Sequence, residues 1–202
     1  MRKAFFLLFL LSSVITFAQN SLYSDLNPNG SWYTDESRDA AYESSVSKLH
    51  KTWICYDKDK TSIESFTFKP NNVGNIVMSL GKQHDYEEGL DLIVTLKVPF
   101  TYTKNKDKIT MKTNPLRAIV SLKPVETKVS QRIKDVIAKK EASITAEFRR
   151  QKQETYNYTI YRIDDYLVMY CGYIPTYCVS KEYQAQAEAR KAEQTKAENK
   201  EE

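Results

Sequence analysis

The central part of the chain alternates between apolar and polar residues with a period of two. In the segment LDLIVTLKVPFTY, the even-numbered positions from Leu90 to Tyr102 are all apolar, and most of their odd-numbered neighbours are polar. Side chains of a β-strand point alternately to opposite faces, so one face of this strand is predicted to be buried and the other to meet water. Pro99 lacks an N–H and predicts an edge, a bulge or a break within it. The pattern indicates a mainly β protein.

The same alternation recurs on both sides of this segment. It places Phe66 with Phe68 on one face of an earlier strand, and Ile109 with Met111 on one face of a later strand. Counting from Lys51, the sequence contains about eight or nine such strands, joined by short links that favour antiparallel neighbours. A one-sided sheet of that size shields its edges by closing or by folding into a sandwich. We therefore predict an antiparallel up-and-down barrel of about eight strands over residues 49–180.

The last strands form a tyrosine-rich hairpin. Residues 155–178 hold seven of the fourteen tyrosines, and Asp164-Asp165 is typical of a two-residue hairpin loop. That loop would pair Ile163 with Tyr166 and Tyr158 with Cys171. The more apolar face is predicted to point inward, and it carries Tyr156, Tyr158, Ile160, Arg162 near the turn, Leu167, Met169, Cys171 and Tyr173. The opposite face, with Tyr161, Ile163, Tyr166, Val168 and Tyr170, is predicted to point outward.

Helical segments flank and interrupt the predicted barrel. Residues 19–48 read as a helical lead-in, and residues 126–151 as an inserted amphipathic helix. Its apolar stripe is formed by Val129, Ile133, Val136, Ile137, Ile144 and Phe148. We expect it to close one barrel end or to pack outside, and the alternative is a helix that binds a membrane surface or a partner. Residues 181–202 are polar and charged, which predicts a solvated helix or frayed tail.

The N-terminus has the pattern of a cleaved secretory signal peptide over residues 1–18. Arg2 and Lys3 precede an apolar run, and Thr16 and Ala18 place small side chains before the cleavage point. The product would be periplasmic or extracellular, and no later segment is apolar enough to predict a transmembrane span in the mature chain. Removing the two basic residues lowers the formal charge from +4 to +2, which gives no electrostatic case for nucleic acid.

The three cysteines belong to a chain that is predicted to be exported, so a disulfide is allowed. Barrel closure would bring Cys55 near Cys171 or Cys178. A bridge between Cys171 and Cys178 is a second option, and free buried thiols are a third. One cysteine stays unpaired in any monomer.

Three segments carry a resemblance to a known family. Behind the signal peptide come KLHKTWICYD, FTFKPNN and YRIDDYLVMYC, and over about residues 49–180 the chain resembles the bacterial secreted lipocalin-like domains. Lipocalin-type barrels often begin with Gly-x-Trp, whose ring closes the base of the barrel. Trp53 matches the Trp, and Lys51 stands where the Gly is expected. The resemblance implies an eight-stranded barrel able to hold a small apolar ligand, and it carries over no catalytic residue.

The sequence does not favour an enzyme. His50 and His84 are the only imidazoles, and the chain has no Gly-rich phosphate loop, nucleophile elbow or His pair at helical spacing. The loop that contains His84 also holds Asp85, Glu87 and Glu88, but a polar loop between strands looks the same by chance. We therefore predict no metal site and no cofactor.

Two functions remain as hypotheses. The first is an exported lipocalin-like barrel that binds a small apolar or aromatic ligand without catalysis. Its predicted wall consists of Trp53, Phe66, Phe68, Met78, Met111, Tyr156, Tyr158, Met169 and Tyr173. The alternative is a structural or interaction module with a packed barrel, which contacts protein or glycan through its outer tyrosines and loops.

Overall fold

The computed structural model describes residues 32–56 and 63–201. The predicted signal peptide and residues 19–31 of the predicted lead-in lie outside the described residues. Nine strands are described: β1 Thr52–Tyr56, β2 Ile63–Lys69, β3 Val73–Asp85, β4 Leu90–Asn105, β5 Lys108–Thr113, β6 Ile119–Pro124, β7 Thr155–Ile163, β8 Tyr166–Cys171 and β9 Ile174–Ser180. The α-helices are α1 Asp35–Glu43, α2 Gln131–Phe148 and α3 Lys181–Glu201.

Eight strands close into an antiparallel barrel, as the alternation predicts. Each strand pairs with its sequence neighbour from β1 to β5 and from β7 to β9, and β5 pairs with β7. The seam closes where β1, already paired with β2, also pairs with β9. Among the described strands, β6 pairs with β4 alone and lies outside the closed circuit. The fold is therefore a closed barrel with one extra strand and a helix inserted between β6 and β7.

Strand β4 is 16 residues long and belongs to both parts of the sheet. Its residues from Leu92 to Lys97 pair with β6, and those from Phe100 to Asn105 pair with β5. Pro99 lies between the two stretches, where the missing N–H costs no ladder hydrogen bond. Its carbonyl accepts from the backbone N–H of Asn114, at 2.7 Å, in the link from β5 to β6. The proline thus marks the point at which β4 changes its neighbour.

The apolar face of β4 contributes to two cores. The barrel core is formed by Leu49, Trp53, Phe66, Phe68, Phe100, Tyr102, Ile109, Met111, Tyr158, Ile160, Ile163, Leu167 and Met169, with smaller residues between them. The second core lies between α2 and the part of the β3–β4–β6 sheet outside the barrel, and it contains Leu90, Leu92, Val94, Leu96, Val98, Ala118, Val120, Leu122 and Ile137. Met78 packs against both cores.

Helix α2 follows from its sequence pattern, although it is shorter than the predicted range of 126–151. Ser130 caps its first turn by accepting from the N–H of Ile133. Ile133, Ile137, Ile144 and Phe148 then recur at helical spacing and pack on the second core. None of the helices in the described part of the chain is both long and apolar enough to span a bilayer.

The N-terminal segment covers the base of the barrel. A capping box joins Thr34 and Ser37 at the start of α1. At the other end of α1, the Lys104 ammonium donates to the carbonyls of Ala41 (3.3 Å) and Ser44 (2.7 Å). A 3₁₀ turn, Val46–Leu49, then leads into β1.

The predicted hairpin register is right for part of its length. Tyr158 pairs with Cys171 as predicted, but the register shifts between Ile160 and Arg162. This bulge inserts one extra residue and reverses the alternation beyond it. The predicted faces of Arg162 and Ile163 are therefore wrong, because Ile163 is buried in the barrel core and Arg162 donates to the carbonyl of Trp32.

Two other sequence predictions are corrected by the turns. The predicted inward position of Tyr173 is wrong, because the residue lies in the turn between β8 and β9 and is fully exposed, at 101%. The sequence also favours a turn-like break from Gly81 to Gly89, and this prediction is right only for residues 86–89. Gly81 has a positive φ of 67° within β3, beside a register shift between Ser79 and Lys82, and the strand continues to Asp85.

The C-terminal segment is a helix, as predicted, but its first turns are attached to the barrel. The Tyr166 hydroxyl donates to the hydroxyl of Tyr183 at 3.0 Å, and Ala187 packs against the same outer cluster. Part of the predicted tail is therefore a covering for the outside of the barrel.

Candidate functional site

The structure brings most of the predicted wall together inside the barrel. Trp53, Phe66, Phe68, Met111, Tyr158 and Met169 belong to one buried core. Met78 and Tyr156 are half-buried and pack against it, whereas Tyr173 lies outside. Sequence periodicity thus found the interior but did not separate its filled part from its rim.

The base of the barrel is filled by aromatic rings. Trp53, Phe66, Phe68, Phe100 and Tyr102 are each at most 2% exposed. The ring of Phe68 contacts those of Phe100 (centroids 5.3 Å apart) and Tyr102 (5.0 Å). The Trp53 indole N–H donates to the Leu49 carbonyl at 3.0 Å, which fastens the 3₁₀ turn beneath the barrel. These side chains stabilise the fold and leave the opposite end as the candidate site.

That opposite end, which we call the mouth, is set by the direction of the hairpin. The Lys51 ammonium donates to the carbonyl of Asp164, so the β7–β8 turn lies at the base. The first residues of β7 and the last residues of β8 must then lie at the other end. Tyr156, Tyr158 and Cys171 are the side chains that this arrangement gathers at the mouth.

The hydroxyl of Tyr158 is the unusual group at the mouth. The side chain is only 6% exposed, and no described residue hydrogen-bonds its hydroxyl, which is the part of the side chain that solvent still reaches, since His50 Nε2 is the one buried side-chain polar atom without a partner among the described residues. Burial raises the pKa of Tyr158 above its usual value, and the nearby Cys171 and Tyr156 raise that pKa further. The phenol therefore stays protonated and can donate a hydrogen bond. A buried ring with an accessible hydroxyl thus presents a hydrogen-bond donor toward the open end of the barrel.

Its neighbour Tyr156 already has an acceptor. The Tyr156 hydroxyl donates to the carboxylate of Glu154, and burial, followed by this carboxylate, raises the pKa of Tyr156 to about 12. Glu154 is in turn fixed by its backbone, because the N–H of Thr113 donates to its carbonyl at 2.9 Å and the Thr113 hydroxyl accepts from its N–H at 3.0 Å. These hydrogen bonds position Glu154 at the rim, where Tyr156, Tyr158 and the Cys171 thiol lie close together.

A disulfide lies at the seam that closes the barrel. Cys55 and Cys178 face each other directly in the β1–β9 register and are bonded, with a sequence separation of 123. This selects one of the pairings that the sequence left open. Cys171 remains a free thiol and is half-buried.

The outer tyrosines of the hairpin pack mainly on the chain itself. Tyr161 contacts the rings of Tyr33 (4.9 Å) and Tyr170 (4.8 Å), and Tyr177 contacts Trp32 at 5.1 Å. Sequence reasoning missed Trp32 and Tyr33, because no periodic pattern accompanies them. The outward-facing tyrosine rings of β7–β9 therefore pack against Trp32 and Tyr33, which precede α1.

The described residues contain no group of three or more His, Cys, Asp or Glu placed to hold a metal ion. The Nδ1 atom of His84 lies 2.8 Å from an Asp91 oxygen on the exposed β3–β4 hairpin. Asp85 and Glu87 there bind the Lys140 ammonium, at 2.6 and 2.9 Å. These carboxylates hold α2 against the hairpin.

Comparison of the chain with protein-family models, with curated proteins and with solved structures found no match.

Proposed function

We propose that this chain is an exported, non-catalytic barrel that binds a small, mainly apolar or aromatic molecule at its mouth. The observation that carries the proposal is Tyr158, a buried ring whose accessible hydroxyl is a donor without an acceptor among the described residues. A ligand with a carbonyl or ether oxygen would supply that acceptor. Its apolar part would lie against Met78 and the edge of the barrel core.

Two features support export. The sequence of residues 1–18 has the pattern of a signal peptide. Cys55 and Cys178 form a disulfide, and disulfides persist in oxidising compartments and are rare in the cytosol. A cleaved, disulfide-closed barrel in the periplasm or outside the cell fits both.

The proposal differs from uptake into the full depth of a barrel. The aromatic side chains at the base are almost unexposed, which indicates that this part of the interior is filled. The ligand would therefore sit at the mouth. We therefore assign the binding role to Tyr158, Tyr156 and Met78, and a packing role to Trp53, Phe66 and Phe68.

Dye binding to the oxidised mature chain, from Gln19 onward, tests the proposal. The probe is prodan, a neutral aromatic ketone whose fluorescence reports transfer out of water and whose carbonyl accepts a hydrogen bond. We expect wild-type protein to bind it and Tyr158→Phe, which removes only the hydroxyl, to weaken binding by about two- to tenfold. Tyr161→Phe removes the same group from the outer cluster and should leave the affinity unchanged.

Native mass spectrometry of the purified protein gives an independent measurement, since a co-purifying small molecule would be seen directly. Absence of dye binding by the folded wild-type protein, or equal affinities of wild type and Tyr158→Phe, would exclude the mouth as the site. Circular dichroism melting of both variants checks that the fold is kept.

A second candidate function, an interaction module, is favoured by one observation. Tyr173 is fully exposed at the tip of the β8–β9 hairpin, where Gly172 provides the positive φ of 61° that the turn requires. An exposed ring on a rigid turn can dock on protein or glycan. A glycan array probed with wild type and with Tyr173→Ser would detect such binding, and equal signals would remove Tyr173 from the interface.

A further inference from the structure

The edge of the sheet at β6 is covered by side chains of α2. The N–H of Val120 donates to the Thr145 hydroxyl at 3.2 Å, and the N–H of Leu122 donates to the Glu141 carboxylate at 2.6 Å. One residue beyond each element, the guanidinium of Arg149, the C-cap of α2, donates to the carbonyl of Ala118 at 3.1 Å. These backbone groups point away from β4, in the direction in which another strand would add.

Helix α2 and strand β6 fit each other because their contacting groups recur at nearly equal distances. The contacting side chains of α2 occur every fourth residue, which is about 6 Å along a helix. The contacted backbone groups of β6 occur every second residue, which is about 6.6 Å along a strand. The helix runs antiparallel to β6, so positions 141, 145 and 149 meet positions 122, 120 and 118 in turn. Three side chains thus make the hydrogen bonds to this edge that the backbone of a neighbouring strand would otherwise make.

The helix does not fill the space beside the edge. A surface groove of about 540 Å³ runs along the same contact, and its helix side is formed by the small residues Ala138, Ala142 and Ala146. On the outer face of β6, Ile119 is 54% exposed. An edge with exposed apolar residues and room beside it is a template for pairing with another chain.

We propose that α2 is a built-in guard of the β6 edge, and that Glu141, Thr145 and Arg149 together prevent β6 from pairing with β6 of a second copy of this chain. A second copy is the occupant that this edge fits, because an antiparallel copy of the same strand presents the same alternating donors and acceptors.

The test compares two sets of substitutions on α2 in the oxidised mature chain. The guard variant is Glu141→Ala/Thr145→Val/Arg149→Met, which removes the three groups that bond β6. The control variant is Glu147→Ala/Arg150→Met, which removes similar groups from exposed positions of the same helix region. Light scattering coupled to size-exclusion chromatography is measured over a range of protein concentrations, and amide hydrogen exchange is measured residue by residue.

We expect wild type and the control variant to be monomeric, and the guard variant to form concentration-dependent dimers and larger species. The single substitution Thr145→Val, which is too mild to unfold the chain, should speed exchange of the Val120 amide by about tenfold. The proposal is overturned if wild type is already paired through β6, or if the guard variant folds and stays monomeric. Unchanged exchange at Val120 in Thr145→Val would overturn it even where the guard variant fails to fold.

Discussion

Opening the disulfide at the seam should cost a large part of the stability of this barrel. The bond joins residues separated by 123 positions, across the two strands that close the sheet. In the chain-entropy relation, crosslinking a loop of that length stabilises the folded state by about 5 kcal/mol, as an upper value. Disulfides that close long loops are stabilising because the unfolded chain is the state they restrict. Reduction removes no side-chain group and adds only one hydrogen to each sulfur, so it changes little besides the crosslink.

The measurement is urea unfolding followed by tryptophan fluorescence, since Trp53 is fully buried. For a slope of about 2.5 kcal/mol per molar urea, the midpoint of the reduced protein should fall by about 2 M. Cys55→Ala/Cys178→Ala should show a similar or larger decrease in the absence of reductant. Cys171→Ala removes the free thiol and serves as the matched control. Its urea midpoint should still fall on reduction by as much as that of the wild type.

Equal midpoints for oxidised and reduced protein would refute this reasoning, because the seam would then be held without the crosslink. A thiol titration of the unfolded, unreduced chain gives a second test. One reactive thiol per chain, removed by Cys171→Ala, is the expected result, and three would mean that the bond does not form.

The remaining predictions concern packing and charge. Gly74→Ala should lower the free energy of unfolding by about 1–3 kcal/mol, measured by thermal denaturation, because its Cβ would lie 2.3 Å from the Phe100 ring. Trp53→Ala should cost about 3–5 kcal/mol in the same assay, since it empties the base of the barrel. Burial alone would raise the pKa of Asp85, but the hydrogen bond and charge of Lys140, together with the backbone N–H groups of Glu88 and Glu87, outweigh it and hold that pKa below its usual value. Lys140→Met should therefore reduce stability by about 1 kcal/mol at pH 7. That difference should disappear as the pH falls below the usual range of an aspartate and through the lowered pKa, and a constant difference at acid pH would contradict the assignment.

The sequence predicts those parts of the fold that follow from burying one face of a strand or of a helix. The alternation from Leu90 to Tyr102 is reproduced residue by residue in burial, and avoidance of open edges predicts closure. The inserted helix is predicted for the same reason, because Ile133, Ile137 and Ile144 recur at helical spacing.

What the sequence does not predict depends on contacts between distant residues. Chain order would place β6 beside β5, but β4 extends beyond the barrel and offers β6 its own stretch of edge. The bulge between Ile160 and Arg162 has no sequence signal and reverses two predicted orientations. The acceptor-free hydroxyl of Tyr158 likewise emerges only once β7 and β8 are placed in register. Whether a tyrosine fills space or meets a ligand is a property of its surroundings.

The continuity of β4 also limits how the molecule can be divided. One unbroken backbone runs from the layer beneath α2 into the ring cluster above Trp53. Neither half can be excised as an autonomous fragment, because each would lose a wall that the other supplies. Protease digestion of the native chain should accordingly leave it whole or reduce it to short peptides, with no long-lived product of intermediate size.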